Sequence, residues 1–176
     1  MKSLKSKRIV FLVEDGYEDL ECWYPKIRLE EEGIETIVAS RSPGVYNSKH
    51  GYPIEATADP SSLNLADIDG LIIPGGTGSP DKLRRSKEIL EFVKNADRQQ
   101  KIVAIICHAG WVAISAGILN GKSATGFKAI KDDLTNAGVN YINEPVVIDQ
   151  NLVSSRHPGD LPEFVKAIIS LLSELH

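Results

Sequence analysis

Cysteine is scarce in this chain, with Cys22 and Cys107 the only two in 176 residues. They make no recognisable metal-ligand or disulfide spacing, and a reducing compartment keeps such residues as thiols. Aromatic residues are 6% of the chain, and no apolar run approaches the length of a membrane span. Neither sign of charge dominates: 20 Lys and Arg stand against 24 Asp and Glu, for a net charge of -4. A nucleic-acid surface calls for a basic stripe, and interspersed signs do not supply one. The basic start, Lys2 to Arg8, is followed by an apolar stretch, Ile9 to Val13, that stops at Glu14 and Asp15. That stretch is too short for an export signal, so the expectation is a cytoplasmic protein without a membrane or nucleic-acid partner. Phosphate-binding fingerprints are missing too. Gly75-Gly76-Thr77-Gly78 has neither the Lys-Ser/Thr ending of a P-loop nor the G-x-G-x-x-G of a dinucleotide site.

What is present reads as one α/β domain over 1–176, with 1–7 a flexible lead-in. Hydrophobic residues at 42% and charged residues at 25% are ordinary for a globular chain of this length. Strands are expected at Arg8–Val13, Glu35–Ala39, Leu71–Ile73 and Ile102–Ile106, and helices at Glu18–Glu32, closed by Gly33, and at Ser86–Gln99. Between the second and third strands, Gly44–Ala58 reads as a small β-ribbon or loop excursion. Later elements are a short strand at Ser123–Thr125, a helix at Lys128–Ala137 closed by Gly138, a hairpin of Val146–Ile148 with Leu152–Val153, and a last helix near Asp160–Leu175 with Asp160 as its N-cap. The alternation predicts a three-layer α-β-α sandwich around a mainly parallel sheet, with ligands at the carboxyl ends of its strands.

Three loops belong at that edge: Glu14–Glu18, Pro74–Pro80 and Cys107-His108. Cys107 ends the apolar run Ile102–Ile106 and precedes a helical pattern, which puts a thiol on a strand-to-helix elbow. The positive end of the following helix favours thiolate there; the plainer alternative is a buried, inert cysteine. Glu18 alone reads as a helix N-terminal charge or cap. The Gly75-Gly76 pair reads either as a tight turn or as backbone N–H donors aimed at developing charge. Cys22, beside Trp23 and Tyr24, reads as core packing.

Taken together, Glu14-Asp15-Gly16-Tyr17-Glu18-Asp19, Tyr24-Pro25, Lys49-His50-Gly51, Pro74-Gly75-Gly76, Ile105-Ile106-Cys107-His108, Ile114-Ser115-Ala116-Gly117, Ile130-Lys131-Asp132-Asp133, Asn136-Ala137-Gly138 and Ser154–Asp160 resemble the PfpI-type cysteine hydrolases of the class I amidotransferase-like superfamily. The resemblance runs over nearly the whole chain and implies a flavodoxin-like sheet. It implies Cys107 as nucleophile, Glu18 as the carboxyl group touching its sulfur and serving as general acid/base, and the N–H groups of Gly76 and His108 as an oxyanion hole. His108 would pair with an acid from a neighbouring subunit, a position matched by Asp81, so a homo-oligomer, dimer or hexamer, is implied. Gly75, Ala109, Phe127 and His157 are possible pocket residues, with Phe127 standing where many relatives carry Tyr. Arg156 is expected to be a structural or subunit contact, and His50 to line a subunit interface.

The leading functional expectation is a cysteine enzyme needing no metal or other cofactor. It would convert methylglyoxal or glyoxal to a hydroxy acid, or act as a protein deglycase. The alternatives are an intracellular cysteine peptidase or amidase using Cys107, His108 and Asp81, and a non-catalytic redox sensor or chaperone-like stress protein with an oxidisable Cys107.

Overall fold

The computed structural model describes residues 4–174. In chain order its elements are β1 (Arg8–Leu12), α1 (Asp19–Glu31), β2 (Glu35–Ala39), β3 (Gly44–Asn47), β4 (Pro53–Ala56), β5 (Gly70–Ile73), α2 (Gly78–Leu83), α3 (Lys87–Arg98) and β6 (Ile102–Ile106). Then come α4 (Gly110–Ala116), β7 (Ser123–Ala124), α5 (Lys131–Asn136), β8 (Asn140–Tyr141), β9 (Val146–Asp149), β10 (Leu152–Ser155) and α6 (Leu161–Glu174). The main sheet has the order β2-β1-β5-β6-β10-β9. Its pairings are parallel except β9 with β10, the hairpin at one edge.

The central strands are almost wholly buried because helices cover both faces, which explains why they read as unbroken apolar runs rather than alternating ones. Side chains still alternate across the pleat. Val10, Leu12, Leu71, Ile73, Val103 and Ile105 pack on α3 and α4, while Ile9, Phe11, Ile72, Ala104 and Ile106 pack on α1 and α6. This is the expected three-layer sandwich, with parallel strands opening three loops onto one edge.

Several details differ from the sequence reading. The segment after β5 is a loop only as far as Thr77, because α2 starts at Gly78. The expected helix at Lys128–Ala137 is split into a 3-10 turn, Lys128–Ile130, and α5. Asp160 does not cap α6. It lies in a 3-10 turn, Pro158–Asp160, whose N-cap is His157, and its carboxylate is taken by the Arg156 guanidinium at 2.8 and 3.0 Å. Such a two-pronged charge pair outcompetes a single cap bond, and it gives Arg156 the structural role expected of it. Of the lead-in 1–7, Leu4–Ser6 form a 3-10 turn and Lys7 pairs with Asp69 at 3.1 Å; 1–3 lie outside the described residues, as does Leu175.

Gly70 is the tightest point of the sheet. A Cβ there would meet Ile102 Cβ and carbonyl oxygen at 2.9 Å and Ile9 Cδ1 at 3.1 Å. Overpacking of this kind costs about 1–3 kcal/mol. Gly70→Ala is therefore expected to lower the melting temperature by ~3–10 °C in a thermal scan, and an unchanged midpoint would contradict this account of the β1–β5–β6 packing.

Candidate active site

Cys107 follows β6 directly, and its backbone has φ 60°, the left-handed region that side-chain-bearing residues rarely occupy. That conformation turns the chain out of the strand at once, through a 3-10 turn, Cys107–Ala109, into α4. The thiol is 8% exposed and borders a cavity of about 260 Å³ lined by Glu18, Glu21, Lys49, Gly76, Thr77, His108, Phe127 and Pro158. The loops after β1, β5 and β6 meet there as their placement on one sheet edge requires.

The carboxyl group that interacts with the sulfur belongs to Glu21, where the family resemblance pointed to Glu18. Glu21 is completely buried. Its Oε2 accepts the Gly75 N–H at 2.8 Å, and its Oε1 has no hydrogen-bond partner among the described residues. A carboxylic acid fits this arrangement, because a single N–H donor does not compensate a fully buried negative charge. Burial pushes the Glu21 carboxyl up to about 8, against the opposing pull of the Gly75 N–H. Glu18 stands at the N-cap position of α1, yet its side chain makes no cap bond. It forms an ion pair with Lys49 instead, carried by the connection between β3 and β4.

The expected helix-end stabilisation of a thiolate does not prevail at Cys107. Burial, and next the Glu21 charge, push the Cys107 thiol up to about 12, while the backbone N–H groups of Gly76 and His108 pull it down. Only a short helix follows the cysteine, so burial wins; and the Glu21 contribution vanishes whenever Glu21 holds its proton. The same two N–H groups act on the Cys107 sulfur at the wall of the cavity. Gly76 can approach so closely because it has φ 78° and no side chain; a Cβ there would meet the Gly16 carbonyl oxygen at 2.4 Å.

His108 lies with Nδ1 3.2 Å from the Cys107 sulfur. Its ring is stacked on Phe127 at 5.0 Å and meets Trp111 edge-on at 5.1 Å, and Trp111 in turn donates its indole N–H to Asp133 at 2.9 Å. Burial first, and the Lys49 charge second, lower the His108 pKa, so the ring is neutral near pH 7. Asp81 is exposed on α2 and pairs with Arg85 at 3.2 Å; it does not line the cavity of its own chain. Ala109 is in the core under α4, and His157 lines a neighbouring pocket with Arg156 and Phe127. Cys22 is fully buried in the core, as expected.

Glu18, Asp19 and His50 bring ligand atoms to within 4.8 Å of one another, the closest approach to a metal-binding set among the described residues. Each already has a partner: Lys49 holds Glu18, while His50 Nδ1 and Asp19 are 2.7 Å apart.

Glu21 escaped the sequence reading, although a signal for it exists. It heads the buried stripe Glu21, Cys22, Pro25, Leu29 of α1, an acid at a core position one turn after Glu18. Because its pKa rises on folding, the folded chain binds its proton more tightly, and stability declines as pH climbs from 4.5 through about 8. Glu21→Gln is expected to raise the melting temperature by ~5 °C at about pH 9 and to leave it nearly unchanged at about pH 4. A variant equally destabilised at both would contradict a buried, protonated Glu21.

Known proteins share this framework. The chain is 41% identical to deglycase PfpI of Pyrococcus furiosus over 165 residues, covering 94% of this chain and 99% of that protein. It is 39% identical to the putative cysteine protease YraA of Bacillus subtilis over 168 residues, covering 95% and 99% of the two chains. Among solved structures, a two-domain protein of Anabaena variabilis with DJ-1/ThiJ/PfpI-like and ferritin-like domains superimposes with a TM-score of 0.92 at 39% identity, over 95% of this chain and 50% of that one. DJ-1beta of Drosophila melanogaster gives a TM-score of 0.89 at 26% identity, over 95% and 90%. With the model of the DJ-1/PfpI family matching residues 7–171 as well, the chain belongs to the DJ-1/PfpI family.

Proposed function

We propose that this protein is a cysteine enzyme, working without a cofactor, that acts on small reactive carbonyl compounds: it converts methylglyoxal or glyoxal to the hydroxy acid, or removes their adducts from proteins. The observation that carries the reading is the left-handed Cys107 between the buried Glu21 carboxyl and the N–H groups of Gly76 and His108. The name of the Pyrococcus furiosus relative, a deglycase, supports it.

Each step has a group to perform it. The Cys107 sulfur adds to the aldehyde carbon while the thiol proton passes to the carbonyl oxygen, giving a hemithioacetal; Glu21 relays the proton, and the two N–H groups hold the developing negative oxygen. Neutral His108 then takes the proton from the former aldehyde carbon, an enediolate forms, and the proton returns to the neighbouring carbon while the hydroxyl proton of the hemithioacetal passes to the neighbouring oxygen. The product is a Cys107 thioester of the hydroxy acid. Water hydrolyses it, releasing lactate from methylglyoxal or glycolate from glyoxal and regenerating the thiol. No net oxidant or reductant is consumed.

Phe127 supplies a stacking face to His108 without a hydroxyl group, so orientation of the substrate falls to Glu21, Lys49 and the N–H donors. A second reading, amide or peptide hydrolysis, is favoured by the 3.2 Å approach of His108 to the sulfur and by the name of the Bacillus subtilis relative. In that reading the acid orienting His108 is Asp81 of another copy in a homo-oligomer.

The test is lactate formation from methylglyoxal without glutathione, since mere loss of methylglyoxal also reports trapping by any thiol. Many turnovers are expected for the unmodified protein, none above background for Cys107→Ser, and a fall of roughly 100-fold for Glu21→Gln. Lactate no higher than in Cys107→Ser would overturn the carbonyl reading and shift it to the peptidase or to a redox sensor.

A further inference from the structure

Two carboxyl groups and a thiol converge in the Cys107 cavity, yet one ammonium group lies among them. Lys49 lines the cavity with Glu18, Glu21, Cys107 and His108, and forms an ion pair with Glu18 while 48% of its own side chain remains exposed. Its backbone has no freedom to wander. Lys49 N–H donates to the Tyr17 carbonyl at 2.9 Å, Gly16 N–H donates to the Asn47 carbonyl at 2.8 Å, and the Ser48 hydroxyl accepts the Tyr52 N–H at 2.9 Å. The connection between β3 and β4 is thus fastened to the loop carrying Glu18, on an element separate from both α1 and β6.

Glu18 and Glu21 are one helical turn apart, so their charges act on each other and on the thiol at short range in a poorly solvated site. Without a cation, an ionised Glu18 would oppose the thiolate that attack requires. We propose that Lys49 is a positioning residue of the active site that masks the charge of Glu18, so that Cys107 and Glu21 face a neutral Glu18–Lys49 pair rather than a carboxylate. This rests on Cys107 being the nucleophile, but it concerns the ionisation of the thiol rather than the identity of the substrate.

The electrostatic surroundings agree with this role. The Glu18 charge raises the Glu21 pKa and the Lys49 charge lowers it; Lys49 also interacts with the Cys107 charge. The charged or titratable groups lining the cavity with the thiol are Glu18 at the N-cap of α1, Glu21 on α1, Lys49 from the β3–β4 connection and His108 from its own turn, and the charge of Asp133 on α5 acts on His108. Asp19 and His50, beside Glu18, are occupied with each other.

The test is the pH dependence of iodoacetamide alkylation at Cys107, followed by mass spectrometry of the Cys107 peptide. Lys49→Met is expected to move the alkylation midpoint up by about one pH unit, making reaction near pH 7 roughly tenfold slower. Glu18→Gln should move it down, and Lys49→Arg should hold it within ~0.3 unit of the unmodified protein. The double variant Lys49→Met/Glu18→Gln is decisive, because it exchanges one neutral pair for another and is expected to return the midpoint to within ~0.3 unit. An unmoved midpoint in Lys49→Met, or a double variant that keeps the full Lys49→Met shift, would overturn the proposal. The readout is a chemical reaction of the thiol, so a protein that behaves as described yet makes no lactate would refute the carbonyl-enzyme reading and leave the role of Lys49 standing.

Discussion

The backbone of Gly75 holds the site together through both its N–H and its carbonyl group. Its N–H donates to the Glu21 carboxyl at 2.8 Å, and its carbonyl accepts the Glu18 N–H at 3.1 Å, so one residue after β5 clamps the first turn of α1 in place. A carboxyl group buried without such a partner would pay a desolvation penalty of several kcal/mol or leave the site altogether. With the clamp, it stays beside the sulfur. The left-handed backbone at Cys107 then brings the thiol to meet it, and the strain of that conformation is borne by a strand buried on both faces.

The cavity therefore brings together three acidic groups, Glu18, Glu21 and Cys107, and manages them differently. One acid is buried and held neutral, another is paired with a cation at the mouth, and the thiol receives two backbone donors. Such separation of neighbouring acids by environment lets a single helix turn provide two distinct chemistries.

The sequence displayed much of this. Long apolar runs and glycine stops revealed the β–α alternation because parallel strands covered on both sides need continuous hydrophobicity, and β2 and β6 have the expected bounds. The elbow was visible because Cys107 ends such a run. What stayed hidden depended on side-chain direction. Glu18 and Glu21 both occupy the start of α1, and only the three-dimensional course of that turn decides which one meets the sulfur. Asp160 was similarly ambiguous, since a cap and an Arg partner four residues earlier compete for the same carboxylate. Lys49 could be seen as part of a motif, but its reach into the cavity depends on how the β3–β4 connection is fastened to a loop some thirty residues earlier in the chain.

The elbow also crosses the plane of the sheet. The Cys107 side chain belongs to the apolar compartment under α1 and α6, whereas Ala109, Val112 and Ala113, which follow it, belong to the compartment under α3 and α4. The thiol and its supporting helix are thus housed on opposite sides of the sheet and communicate through a few backbone bonds. Repacking under α3 and α4 can tune the rigidity of the turn without entering the cavity, while changes in α1 or the β3–β4 connection alter the cavity and spare the turn. Durability and selectivity are consequently open to separate adjustment, an arrangement by which one scaffold can carry divergent chemistries at an unchanged thiol.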